Sequence, residues 1–277
     1  MSDGQIAGSA AVHGDGINDA EHGEMNWVLA TDRLTKRFGQ LTAVSAVTFS
    51  VAHGEAFGIL GRNGAGKTTL IKMLTTLLPP TSGSASVAGH DLVREAAAVR
   101  RLIGYVPQGL SSDADLTARE NLQILAALYD IPRAQRPARI QSILSLVGLE
   151  DAANRLVKTY SGGMTRRLEI GQAMLHRPPL LFLDEPTVGL DPVAREAIWN
   201  HVQQLRAEFG VAVCLTTHYM DEAQHLCSRF MVLRNGAAVA IGTLAELRAA
   251  ASLPDASLDD LFGYFTEGPA AQEMHGG

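Results

Sequence analysis

The chain has 277 residues, 46% hydrophobic and 19% charged, with a formal net charge of -6. That is an ordinary globular composition, enough for one large domain or two modest ones. Five acidic residues (Asp3, Asp15, Asp19, Glu21, Glu24) precede Trp27 without a Lys or Arg among them, so the body is close to neutral and nucleic acid is not expected as a partner.

Residues 1–26 are rich in Gly, Ser, Ala and Asp with little periodicity, and are read as a disordered acidic tail. They lack the basic start and apolar run of a signal peptide. No stretch of about 18 apolar residues occurs, so no membrane span is expected. Cys214 and Cys227 lack metal-ligand spacing and are expected as reduced thiols in or near the core.

From Trp27 the pattern is β-like. Val47, Phe49 and Val51 alternate with Thr48 and Ser50, and "AFGIL" (56–60) reads as a short buried strand. A helix is expected over 66–78, stopped by Pro79 and Pro80. "RLIGYVPQ" ends another strand at Pro107. Residues from about 113 to 158 then read as helices only. Thr117 and Glu120 fit a capping box, and a second helix fits 133–146, ending at Gly148. An α/β pattern interrupted this way suggests an inserted helical subdomain, placed at about 109–165. The α/β pattern returns with "PLLFLDEP" (179–186). Asp191 and Pro192 then open a helix, and "VAVCLTTH" forms a strand ending at His218. "RFMVLRNGAAVAIG" reads as a hairpin turning at Asn235-Gly236. After about residue 250 only a short helix and tail remain. In that tail Leu258, Leu261, Phe262 and Phe265 share one helical face behind a Ser257 cap.

Chemistry is concentrated in a few places. Gly61, Arg62, Asn63, Gly64, Ala65, Gly66, Lys67, Thr68 and Thr69 carry the pattern G-x-x-x-x-G-K-[ST] between a predicted strand and a predicted helix. Its glycines let backbone N–H groups turn toward phosphate oxygens, and the helix start adds the positive end of its dipole. Lys67 supplies a point charge for the β- and γ-phosphates, and the Thr68 hydroxyl can hold Mg²⁺. "LLFLDEP" delivers Asp184 and Glu185 to the carboxyl end of a buried strand, where open α/β sheets bind ligands. Asp184 can enter a Mg²⁺ shell, and Glu185 can accept a proton from an attacking water. A second small-residue helix start, Ser161-Gly162-Gly163, is a second anion site by the same physics. Gln108 and His218 are unremarkable alone.

The order of these elements resembles the nucleotide-binding subunit of ATP-binding cassette (ABC) transporters, over about residues 29–242. "GRNGAGKTT" looks like the Walker A loop, "LLFLDEP" like Walker B, and "YSGGM" like the family signature. Gln108 sits where the Q-loop glutamine belongs, Asp191 where the D-loop does, and His218 where the switch histidine does. Phe38 is placed like the aromatic that stacks on adenine. The resemblance implies a P-loop fold of the ABC ATPase type over 27–250, with a mixed, mostly parallel sheet, an N-terminal antiparallel β part and the inserted all-helical subdomain. It implies ATP and Mg²⁺, the ion held by Thr68, Gln108 and Asp184, with Glu185 and His218 catalytic. It implies a head-to-tail dimer in which Ser161, Gly162 and Gly163 face the ATP of the other copy. It also implies a separate transmembrane permease, on the cytoplasmic face of the membrane. Tyr160 and Met164 depart from the usual Leu-Ser-Gly-Gly-Gln, and "YSGGM" with "TRRLEIG" is similar to the daunorubicin-resistance and nodulation-type exporter branch.

Two other readings compete with this one. ATPases of this family that work in translation carry two cassettes per chain, and those of DNA repair carry a long coiled coil between loop and signature. This chain has one cassette, and too few residues separate Lys67 from Ser161 for such a coil. A degenerate cassette that binds ATP without turnover usually lacks one of Lys67, Asp184, Glu185 or His218. All four are present here.

Overall fold

A computed structural model describes residues 27–268; the acidic segment 1–26 lies outside the described residues. The chain opens with β1 (Trp27–Phe38), β2 (Leu41–Ala52), β3 (Ala56–Leu60) and α1 (Lys67–Leu74). Next come β4 (Ser82–Val87), β5 (His90–Asp91), α2 (Ala96–Leu102) and β6 (Ile103–Val106). The helical part holds α3 (Ala118–Leu128), α4 (Arg136–Leu146) and α5 (Gly162–Met174). The remainder is β7 (Leu180–Asp184), α6 (Pro192–Phe209), β8 (Ala212–Thr217), α7 (Met220–Leu226), β9 (Arg229–Arg234), β10 (Ala237–Gly242), α8 (Leu244–Ala251) and α9 (Leu258–Glu267).

These strands form a four-stranded antiparallel sheet, β2-β1-β4-β5, and a six-stranded sheet, β10-β9-β3-β8-β7-β6. In the larger sheet every neighbour is parallel except β10, the second arm of the hairpin with β9. That hairpin turns at Asn235 and Gly236, both at positive φ (50° and 81°), the backbone a two-residue turn of this kind requires.

Strand alternation sorts the core into two layers. Phe57 and Ile59 of β3, with Leu180 and Phe182 of β7, pack with Leu70, Ile71, Met73 and Leu74 of α1 and the inner face of the antiparallel sheet. Leu60, Leu181 and Leu183 point the other way, into a core shared with α3 to α8. Cys214 and Cys227 are both buried free thiols. Tail helix α9 docks on this second core through Leu258 and Leu261, with Phe262 and Phe265 partly buried against it.

Some local expectations need correction. Helix α1 ends at Leu74, not Leu78. The Thr75 hydroxyl donates to Ile71 O at 2.8 Å, and Thr76 takes a left-handed φ of 61°, so the helix ends before Pro79 is reached. The helix expected at 133 starts with a short 3₁₀ turn (Arg133–Gln135), and α4 proper begins at Arg136 with Pro137 in its first turn. The helical region also holds one β-bridge, Thr117 to Leu156. Thr117 does form the capping box with Glu120 at the start of α3.

Candidate active site

Four parallel strands end at one edge of the larger sheet. In register, Leu60 of β3 pairs with Thr217 of β8, Thr216 with Asp184 of β7, and Leu183 with Val106 of β6. The segments that follow these strands therefore meet: the glycine loop, Glu185, His218 and Gln108. Open α/β sheets bind their ligands at this carboxyl edge.

The glycine loop curls from Leu60 into α1. Gly64 and Gly66 take φ of 81° and 104°. A side chain at Gly66 would also strike Ala43 O at 2.5 Å, so only glycine fits there. The hairpin tip braces the loop, Gly236 N donating to Ala65 O at 2.9 Å. Gly66 caps α1 with no side-chain acceptor, which leaves first-turn N–H groups to an outside anion. Lys67 Nζ donates back to Gly61 O (2.7 Å) and Arg62 O (3.3 Å).

Glu185 stands at the centre. Its φ is 49°, unusual for a residue with a side chain, and its N–H is fixed by Thr216 O (3.0 Å) and Thr216 Oγ1 (3.1 Å). Glu185 Oε1 lies 3.1 Å from Lys67 Nζ, while Oε2 lies 3.3 Å from His218 Nδ1 and accepts from Gln108 Nε2 at 3.3 Å. Asp184 is buried, and Thr216 Oγ1 donates to its Oδ1 at 2.6 Å. Burial pushes the Asp184 carboxyl above its usual range, and nearby Glu185 adds to this; the hydroxyls of Thr216 and Thr68 and the charge of Lys67 pull it back.

A cleft of about 950 Å³ opens over this edge. Phe38, Arg62, Asn63, Gly64, Ala65, Gly66, Lys67, Thr68, Thr69, Gln108, Glu185 and His218 line it. Leu41, Thr42, Ala43, Val188, Asn235 and Gly236, which sequence reasoning missed, complete the lining. Thr216 was also missed, although it fixes both Asp184 and Glu185. The repeated threonine of "LTTH" at a strand end was its only signal.

Ser161, Gly162, Gly163 and Asp191 are not brought to this cleft. Ser161 caps α5 by accepting from Met164 N, and Asp191 caps α6 by accepting from Ala194 N. A Cβ on Gly162 would come within 3.1 Å of Leu190, and one on Gly163 within 3.1 Å of Ala194. The two glycines thus also let α5 start close against α6, and the signature and D-loop segments form a second cluster.

The cleft fits a nucleoside triphosphate: its floor is a left-handed glycine loop with free N–H groups and a fixed cation. Mg²⁺ also fits, because Asp184 and the Thr68 hydroxyl are adjacent hard oxygen donors. Among the described residues no group of three or more His, Cys, Asp or Glu could hold a metal alone, so the rest of a Mg²⁺ shell would be phosphate oxygen and water.

The family model described as "ABC transporter" matches residues 44–188. The chain is 44% identical over 221 residues to the daunorubicin/doxorubicin resistance ATP-binding protein of Streptomyces peucetius, covering 80% of this chain and 67% of that one. It is 40% identical over 220 residues to the Nod factor export ATP-binding protein I of Ralstonia nicotianae, covering 79% and 68%. A solved structure described as an ATP binding subunit of an ABC transporter superposes with a TM-score of 0.78 at 33% identity, covering 86% of this chain and 99% of that one. Phosphate-loop geometry, sheet order and these likenesses agree: the chain is an ATPase of the ABC transporter family and belongs with the ATP-binding proteins of its drug-resistance and Nod-factor export branch.

Proposed function

We propose that two copies of this chain associate head to tail with two ATP between them, and that hydrolysis drives export through a separate transmembrane permease. The observation that carries the dimer is the separation of the two anion-ready helix starts. The α1 start lies in the cleft, whereas Ser161, Gly162 and Gly163 sit with Asp191 outside its lining. A second copy turned to face the first supplies the missing half of each site.

In this reading the glycine loop and Lys67 hold the β- and γ-phosphates, and Phe38, exposed at the rim, stacks on adenine. Thr68, Gln108 and Asp184 would hold Mg²⁺, which would neutralise charge on the phosphate oxygens. Water attacks the γ-phosphorus, the bond to the β-bridging oxygen breaks, and the water's proton passes to Glu185, giving ADP and phosphate. His218, beside Glu185 Oε2, orients the carboxylate. Loss of the γ-phosphate removes contacts across the interface and lets the copies part.

The permease contacts the helical subdomain, placing the chain at the cytoplasmic face of the membrane. Leu110, Ile124 and Leu128 are exposed there, and no helix among the described residues is long and apolar enough to cross a membrane. Partner crosslinks falling only on the antiparallel sheet would refute this docking. The dimer is tested by sedimentation of E185Q with ATP and Mg²⁺. A doubled mass supports it, and a monomer at saturating ATP overturns it.

A further inference from the structure

The stretch that marked the exporter branch, "TRRLEIG", has no task in the chemistry above, yet it contains two almost fully buried charges. Arg166 is 4% exposed and Glu169 2%. They are three residues apart on α5 and therefore share a face, with Arg166 Nη1 3.0 Å from Glu169 Oε2. That face is turned to the segment carrying Gln108. Arg166 Nη1 donates to Pro107 O at 2.7 Å and Nη2 to Gln108 O at 2.9 Å. Glu169 Oε1 accepts from Ser111 N, from Ser111 Oγ (3.1 Å) and from Ser112 N (3.3 Å). One turn further, Gln172 Oε1 accepts from Ser112 Oγ at 2.9 Å.

A buried ion pair is weak evidence for stability, since apolar residues of similar volume commonly do as well. This pair does something apolar residues cannot. Its fork and its carboxylate hold main-chain groups of residues 107–112, a stretch without helix or strand. We propose that Arg166 and Glu169 are positioning residues that fix Gln108 over the nucleotide, making α5 and the Gln108 segment one rigid body. Because Ser161 caps the same helix, a copy that engages its partner's ATP also moves its own Gln108. This last step rests on the head-to-tail reading; the positioning itself does not.

The test uses the full chain with Glu169 changed in two ways. E169A removes the acceptor for Ser111 and Ser112, whereas E169Q keeps one. In E169A, the Ser111 and Ser112 amides should exchange hydrogen ~10-fold faster or more without nucleotide. ATP binding without Mg²⁺ should be unchanged, and the Mg²⁺ concentration for half-maximal turnover should rise ~10–100-fold, the usual cost of losing a supporting hydrogen bond. E169Q keeps an acceptor for the serines but turns its amide N–H₂ toward the Arg166 guanidinium, so its values should fall between those of E169A and the parent, and E169A should not add to the Mg²⁺ effect of Q108A. Parent-like exchange in E169A, or effects that add to those of Q108A, would overturn the proposal. If E169A does not fold, R166M/E169L leaves no orphaned charge and carries the same expectations. Failure of the dimer reading appears separately, as monomeric E185Q in ATP, and leaves the exchange result standing.

Discussion

Glu185 Oε1 lies 3.1 Å from Lys67 Nζ, with the two side chains only 7% and 4% exposed. The residue proposed to take a proton thus holds the cation proposed to take the phosphate. Any phosphate drawn to Lys67 competes with Glu185 for one ammonium group, and its own negative charge approaches that carboxylate. Removing the carboxylate's charge relieves both effects. We therefore expect E185Q to turn over ATP ~10²–10⁴-fold more slowly, the span for a lost general base, while binding it at least as tightly as the parent. Rapid-mix turnover and equilibrium nucleotide titration check this. Wild-type turnover would remove Glu185 from the mechanism, and weaker binding would contradict the competition.

The same pair links binding to stability. K67A removes the cation proposed to sit over the phosphates, so nucleotide titration should find ATP binding nearly abolished. It also leaves the nearly buried Glu185 carboxylate, at the floor of the cleft, without its nearest charge partner. Breaking such a pair costs about 3–5 kcal/mol when burial is complete, and somewhat less here because Gln108 still donates to Glu185. The melting temperature should drop in K67A and recover in K67A/E185Q. No recovery would mean that Lys67 stabilises the fold through its bonds to Gly61 O and Arg62 O instead.

Glu222 on α7 offers a pH test away from the phosphates. It is fully buried, and its Oε1 accepts from Thr187 Oγ1 (2.7 Å) and Trp199 Nε1 (3.2 Å). Burial raises its carboxyl above the ordinary 4.5, against the pull of donors from Thr217, Thr187 and Trp199 and of the Arg195 charge. An acid raised in the folded state contributes stability that is fully present below its unfolded value and lost as pH rises through the folded one. E222Q does not titrate. Its melting temperature relative to the parent should therefore rise from pH 4.5 upward and level off above the folded pKa. A gap independent of pH would contradict the raised carboxyl.

Leu261 of α9 is fully buried in the second core. L261A should destabilise the chain by about 2–5 kcal/mol, the usual range for a leucine cut to alanine in a packed core. Truncation after Leu253 should lower the melting temperature of the chain alone. If the truncated chain melts like the parent but assembles poorly with the proposed permease, the helix serves an interface instead.

Much of this fold is legible because its signals are local. The glycine pattern needs only its own backbone, the apolar runs 56–60 and 180–184 mark buried parallel strands, and the caps at Thr117, Asp191 and Ser257 bond within three residues. What escaped is decided at long range. Strand β4, Ser-Gly-Ser-Ala-Ser-Val, has little intrinsic preference and exists because β1 pairs with it. Helix α2 is a short run that starts without a side-chain cap. Arg166, Glu169 and Glu222 drew no reading from sequence, because nothing nearby in it reveals that Pro107, Ser111 and Thr187 will satisfy them. The separation of Ser161 from the cleft was expected only through resemblance. Its packing reason, the close start of α5 on α6, is visible only in the fold.

The central claim, that each ATP site is built from two copies, is tested most directly by mixing two inactive variants. K67A keeps an intact signature, and S161R keeps an intact glycine loop. Alone, neither can build a working site. In a mixed dimer, the S161R loop faces the K67A signature and one of the two sites is whole. Random pairing of equal amounts should restore ATPase activity to about a quarter of the parent value, because half the dimers are mixed and each has one whole site. A mixture no more active than either variant alone would contradict the claim.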